Sequence, residues 1–97
     1  MQIIARRTLK VFWDVHPKAE APLRTWFALV SQAKWIGPAD VRSMFNSVYF
    51  IADNRVIFNI GGNNYRLVAH VSYTYGRLLV KFVGIHAEYD RINPEVV

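Results

Sequence analysis

The chain contains no cysteine. That absence removes disulfide staples, thiolate metal sites and cysteine nucleophiles together. No run of about 18 apolar residues occurs, so no segment reads as a membrane span. The opening Met-Gln-Ile-Ile-Ala-Arg-Arg lacks the basic, long apolar and small-residue order of a secretory signal, and a cytoplasmic protein is expected. Acidic residues are scarce: seven Asp and Glu stand against twelve Lys and Arg, a formal charge of +5. A small basic domain tends to meet a polyanion, either nucleic acid or an acidic protein partner. The three histidines, His16, His70 and His86, lack the spacing of a metal-binding pair, so no metal site and no cofactor are expected. Gly61-Gly62 is followed by no helical pattern and is no phosphate-binding loop. A nucleophile elbow is also missing.

What remains is rich in apolar and aromatic residues. Hydrophobic side chains make up 53% of 97 residues, enough to fold one compact domain over residues 1–97 but too few for two. Gln2–Ala5 is short and β-branched, a first strand. Leu9, Phe12, Trp13 and His16 repeat at helical spacing, with Thr8 as the expected cap and Pro17 as the stop. His16 reads as a packed or capping residue. Leu23, Trp26, Phe27 and Val30 mark a second helix from near Ala19 to near Ala33, in which Pro22 fits the first turn. One helical turn is expected over Pro38–Phe45. After residue 46 the period becomes two, predicting strands over Val48–Ile51, Arg55–Ile60, Tyr65–Tyr73 and Leu78–Val83, with a break at Gly84. Turn-forming clusters of hairpin length separate them, so they form an antiparallel meander. The expected class is α+β, in the order β-α-α-β-β-β-β, with two N-terminal helices packed on one face of a mainly antiparallel sheet.

Alternation sorts the strands into two faces. Tyr65, Leu67, Ala69, Val71 and Tyr73, with Val56, Phe58, Ile60, Leu78, Val80 and Phe82, form an apolar face for the helices. Asn59, Arg66, His70 and Lys81 share the other with Ile57, Val68, Leu79 and Val83. This second face is either the solvated side of a one-layer sheet or a shallow cationic groove with apolar walls; its aliphatics favour the groove. Arg66 suits bidentate phosphate contact or a cross-strand ion pair. Lys81 suits a phosphate or the protection of an edge strand. His86, Glu88, Tyr89 and Asp90 arrive within five residues, just past the sheet. Histidine changes charge near neutrality, so His86 reads either as a structural residue after a strand or, with Tyr89 three residues on, as an acid or base. Glu88 and Asp90 read as solvent-facing or paired with basic side chains, with orientation of His86 as the alternative for Asp90. His70 has no single reading.

Four pieces carry a resemblance: His16-Pro-Lys-Ala-Glu20 with Pro22-Leu-Arg-Thr-Trp26, Asn54-Arg-Val-Ile-Phe-Asn-Ile60, Asn64-Tyr-Arg-Leu-Val68, and Phe82-Val-Gly-Ile-His-Ala-Glu-Tyr-Asp90. In this order they resemble the HigB toxins of type II toxin–antitoxin pairs, within the RelE-like superfamily. Ile85 departs from that pattern, which has a polar residue there. The resemblance implies a RelE-like fold and a ribosome-dependent mRNA interferase that needs no metal. Cleavage would proceed by attack of the ribose 2′-OH on the neighbouring phosphate. It implies a helix-turn-helix HigA-type antitoxin as partner, with ribosome and mRNA as targets and operator DNA reached only through the antitoxin. Carried onto this chain, Arg66, Lys81, His86 and Tyr89 are the catalytic candidates, and Asn59, Tyr65 and His70 the RNA-binding ones. The competing expectation is a non-catalytic basic module that holds RNA or a peptide.

Overall fold

The computed structural model describes residues 1–97. Strand β1 (Gln2–Ile4) leads into helix α1 (Arg6–Val15). A 3₁₀ turn over Pro17–Ala19 joins it to α2 (Glu20–Gln32), and α3 (Pro38–Met44) follows. Strands β2 (Val48–Ile51), β3 (Arg55–Ile60), β4 (Tyr65–Ser72) and β5 (Arg77–Ile85) complete the sheet, and a single turn, α4 (His86–Tyr89), follows β5. The sheet order is β1-β5-β4-β3-β2. Neighbours β2 to β5 run antiparallel, and β1 lies parallel to β5. The class is α+β, as expected, with α3 and α4 added. No helix is long and apolar enough to cross a membrane.

Helical spacing places Leu9 and Trp13 of α1, and Leu23, Trp26 and Val30 of α2, inside the molecule. They meet Val56, Phe58, Leu67, Ala69, Val71 and Leu78 on one face of the sheet. Phe58 stands at the centre of an aromatic cluster. Its ring centroid lies 5.3 Å from Trp26 and 5.2 Å from Phe45, both edge-on, and 6.4 Å from Trp35, which stacks on it. His16 follows α1 as its C-cap and packs on Phe12 at 4.5 Å. Pro17 thus ends the helix as its ring requires.

Local expectations fail at three places. Helix α1 starts at Arg6, with Ala5 as N-cap and no side-chain cap, so Thr8 lies inside the first turn. Packing of Leu9 and Trp13 holds this end without a hydroxyl cap. The single turn expected after Gly37 is a seven-residue helix, α3, with Val41 fully buried and Asp40 Oδ2 accepting a hydrogen bond from the Ile36 N–H at 2.8 Å. The third failure concerns β5. Gly84 does not break it: the strand continues to Ile85, with Gly84 opposite Arg66.

Strand β5 also carries a bulge. Val68 faces Phe82 while Ala69 faces Val80, so Lys81 is an extra residue with no counterpart. One inserted residue reverses the alternation beyond it. Leu78 and Val80 keep their expected place on the helix side. Phe82 turns to the opposite face, and Val83 packs against the core instead. This corrects the expected faces of both residues.

Candidate active site

The second face of the sheet is organised by three cross-strand rows. Tyr49, Ile57, Val68 and Phe82 form one, Asn59, Arg66 and Gly84 the next, and Ile51, Arg55, His70 and Leu79 the third. Ile57 and Val68 are 3% and 0% exposed. A solvated one-layer sheet would leave them open, so this face is not bare sheet exposed to water. Helix α4 packs against β4 and β5 on one side of it.

Helix α4 brings the main groups together. His86 is its first residue, and the Arg66 Nη2 to His86 Nε2 distance is 3.1 Å. On the other side of the ring, His86 Nδ1 lies 3.4 Å from Asp90 Oδ2, a long contact between half-exposed groups. An Arg guanidinium only donates, so the arrangement fits an imidazole with its proton on Nδ1 and a free pair on Nε2 facing Arg66. The Arg66 Cζ also lies 4.9 Å from the Tyr89 ring centroid and 5.8 Å from that of Tyr49. Arg66 Nε is buried and makes no hydrogen bond. No ion pair engages the Arg66 guanidinium. The cross-strand ion pair is therefore not what Arg66 makes.

Glycine at position 84 is a requirement of close approach. A Cβ there would come within 2.5 Å of Phe82 Cζ and 3.1 Å of Glu88 Oε1. The Phe82 ring bends over the bare backbone and stands 6.4 Å from Tyr89. Glu88 Oε1 accepts the Ile85 N–H at 2.9 Å, which stabilises the turn from β5 into α4. Gly84 and Glu88 thus fix the path that delivers His86 and Tyr89.

The other sequence candidates are dispersed. Asn59 stands opposite Arg66, but its Nδ2 donates to Ser47 Oγ and to the Ser47 carbonyl, tying down the start of β2. Lys81 is exposed at the bulge, three residues before Gly84, or about 10 Å of strand from the Arg66 row. His70 shares the face of Arg66 but lies four residues on, about 13 Å away, opposite Arg55. That arginine is spoken for: it donates to Asp53 Oδ2 at 3.0 Å and to the Val97 backbone oxygen at 2.9 Å. Tyr65 is on the helix side, edge-on to Phe12 at 5.7 Å, and does not join Arg66. Sequence reasoning missed Tyr49 and Phe82. Tyr49 was legible, because the short β2–β3 turn sets it opposite Ile57; Phe82 was hidden by the bulge.

No three His, Asp or Glu side chains converge as metal ligands would. Remote from this site, beyond the far end of β4, the Tyr73 phenol is pushed up by burial and then by the Asp40 carboxylate. At the site itself, a guanidinium, an imidazole and a phenol border an open surface rather than an enclosed cavity. Such a group can hold a phosphate and move a proton while an extended polymer passes over it.

Residues 19–92 match the family described as HigB_toxin, RelE-like toxic component of a toxin-antitoxin system. The chain is 23% identical over 95 residues to a protein of Escherichia coli O6:H1 named mRNA interferase HigB, spanning 96% of this chain and 92% of that one. It is 26% identical over 92 residues to the mRNA interferase toxin HigB of Escherichia coli K12, spanning 93% and 88% of the two chains. A Shigella flexneri mRNA interferase HigB matches to the same extent.

Proposed function

Since the chain belongs to the HigB family, the RelE-like toxic component of a toxin–antitoxin system, we propose that it is a metal-independent mRNA interferase acting on translating ribosomes. The observation that carries the reading is the 3.1 Å approach of Arg66 Nη2 to His86 Nε2 on an open cationic surface. The relatives named as mRNA interferases span nearly the whole chain and supply the substrate class.

In this reading a phosphate of the message takes the place of His86 as the partner of the Arg66 guanidinium. The fork of donors holds the nonbridging oxygens and stabilises the charge that builds on them in the transition state. His86 Nε2, released from Arg66, accepts the ribose 2′-OH proton. The 2′-oxygen bonds to phosphorus, the P–O5′ bond breaks, and the departing 5′-oxygen takes a proton from the Tyr89 phenol or from water. A 2′,3′-cyclic phosphate and a 5′-OH result. Tyr89 stacks against the substrate or assists proton transfer, and Lys81 adds positive charge along the strand. The ribosome aligns the message, which a domain this small has little surface to do alone. A HigA-type antitoxin with a helix-turn-helix neutralises the toxin in the cytoplasm and carries it to operator DNA.

Incubating the protein with programmed ribosomes tests this. The wild type yields fragments with 5′-OH ends. Arg66→Ala and His86→Ala each cut at least about 100-fold more slowly, the scale of one lost acid–base or charge-stabilising group. Cleavage at the wild-type rate by both variants would overturn the assignment. Absence of any fragments from the wild type would replace the enzyme with a non-catalytic binding module.

A further inference from the structure

Tyr49 stands beside Arg66 without a role in the chemistry above. Strand β2 is the outermost strand of the sheet, so nothing pairs along its free side. Cross-strand pairing aligns Tyr49 with Ile57, Val68 and Phe82. Within that row the two central aliphatics are buried, whereas the Tyr49 residue is 54% exposed. The row is therefore aromatic at both ends with buried aliphatics between, and Arg66 stands in the adjoining row. Its Cζ lies 5.8 Å from the Tyr49 ring, within one nucleotide's reach of a phosphate held by the guanidinium. The start of β2 is pinned by the bonds from Asn59 to Ser47, so the ring is presented from a fixed backbone.

A β-strand favours Tyr for local reasons alone. A purely strand-forming role, however, does not require the ring to border an arginine whose Nε has no partner. A half-exposed aromatic ring next to a guanidinium that no carboxylate neutralises suits a nucleotide, because every base offers a π-face and every linkage offers a phosphate. Resting on the RNA-cleaving reading, we propose that Tyr49 is a base-stacking subsite. The nucleobase adjoining the phosphate on Arg66 lies on its ring, and this contact helps set which phosphodiester is presented to His86.

Tyr49→Phe and Tyr49→Leu, assayed on programmed ribosomes beside the wild type, separate stacking from bulk. The phenylalanine variant keeps the wild-type kcat/KM. The leucine variant loses about tenfold, mainly in KM, and its cleavage positions spread, while its thermal unfolding stays that of the wild type. Independently of catalysis, indole fluorescence in Tyr49→Trp, compared with the wild type's own three tryptophans, is quenched on titration with a short single-stranded oligoribonucleotide. Wild-type kcat/KM and positions in Tyr49→Leu, or no added quenching in Tyr49→Trp, would overturn the subsite. A defect of Tyr49→Leu confined to antitoxin binding would overturn it too. Should Tyr49→Leu cleave normally while Arg66→Ala is dead, only the subsite fails. Should the wild type leave message intact, the enzymatic reading fails, and the fluorescence titration still decides whether Tyr49 meets RNA.

Discussion

Arg66 and Leu67 are adjacent in the chain and face opposite sides of β4. The guanidinium reaches His86, while the leucine is fully buried beneath the helices. Their truncations therefore separate function from folding. Beyond His86 stands Asp90, whose carboxylate is 3.4 Å from Nδ1 on an exposed helical turn. Exposed pairs of this kind are worth about 1 kcal/mol or less, because water screens them and their side chains lose freedom in forming them. Asp90→Ala is accordingly expected to slow cleavage by no more than about fivefold. A loss as large as that of His86→Ala, measured on programmed ribosomes, would mean that Asp90 takes a direct part in the chemistry.

The transition from β5 to α4 is the element on which the site depends. Two features shape it: the bulge at Lys81, which turns Phe82 outward, and the bare Gly84, over which the Phe82 ring lies. Gly84→Ala sets a methyl against that ring and against the Glu88 carboxylate that caps the turn. Overpacking of this sort costs about 1–3 kcal/mol. The expected result is a lowered urea midpoint together with a larger fall in cleavage, because the displaced ring stands beside Tyr89. Adding Phe82→Ala makes room for the methyl, so the double variant recovers stability relative to Gly84→Ala. Simple additivity of the two losses would show that the ring and the glycine are not coupled.

At the scale of the molecule, one core supports the whole arrangement. Seventeen buried residues form the cluster between helices and sheet, and Leu67 lies within it. Removing such a side chain leaves a cavity and costs about 2–5 kcal/mol, a large part of the 5–15 kcal/mol that holds a typical domain together. Leu67→Ala should show a strongly reduced urea midpoint and lose toxicity through depletion of the folded protein. Arg66→Ala should unfold like the wild type and lose toxicity nonetheless. The formal +5 charge acts at this scale as well, since it favours approach to a polyanion from any direction without specifying a site.

Local pattern was sufficient for the elements and for most of their faces. Apolar spacing of 3.6 located α1 and α2, spacing of 2 located the four-strand meander, and the short turns forced the antiparallel order. The groups at Arg66, His86 and Tyr89 were legible too, as residue types and as part of a family pattern. What local pattern lacked was the one-residue bulge in β5, because an inserted Lys81 alters no propensity and shows itself only against the partner strand. The extent of α3 and the uncapped start of α1 escaped for a related reason: burial of Val41, Leu9 and Trp13 outweighed the local end signals. Tertiary structure also decided which candidates meet. It joined positions 66 and 86 across twenty residues at 3.1 Å and placed Tyr49 beside Arg66, whereas the helix-side place of Tyr65 followed from alternation alone. Periodicity fixes the face on which a side chain stands, whereas contact between faces and elements depends on register and closure, which only the assembled sheet defines.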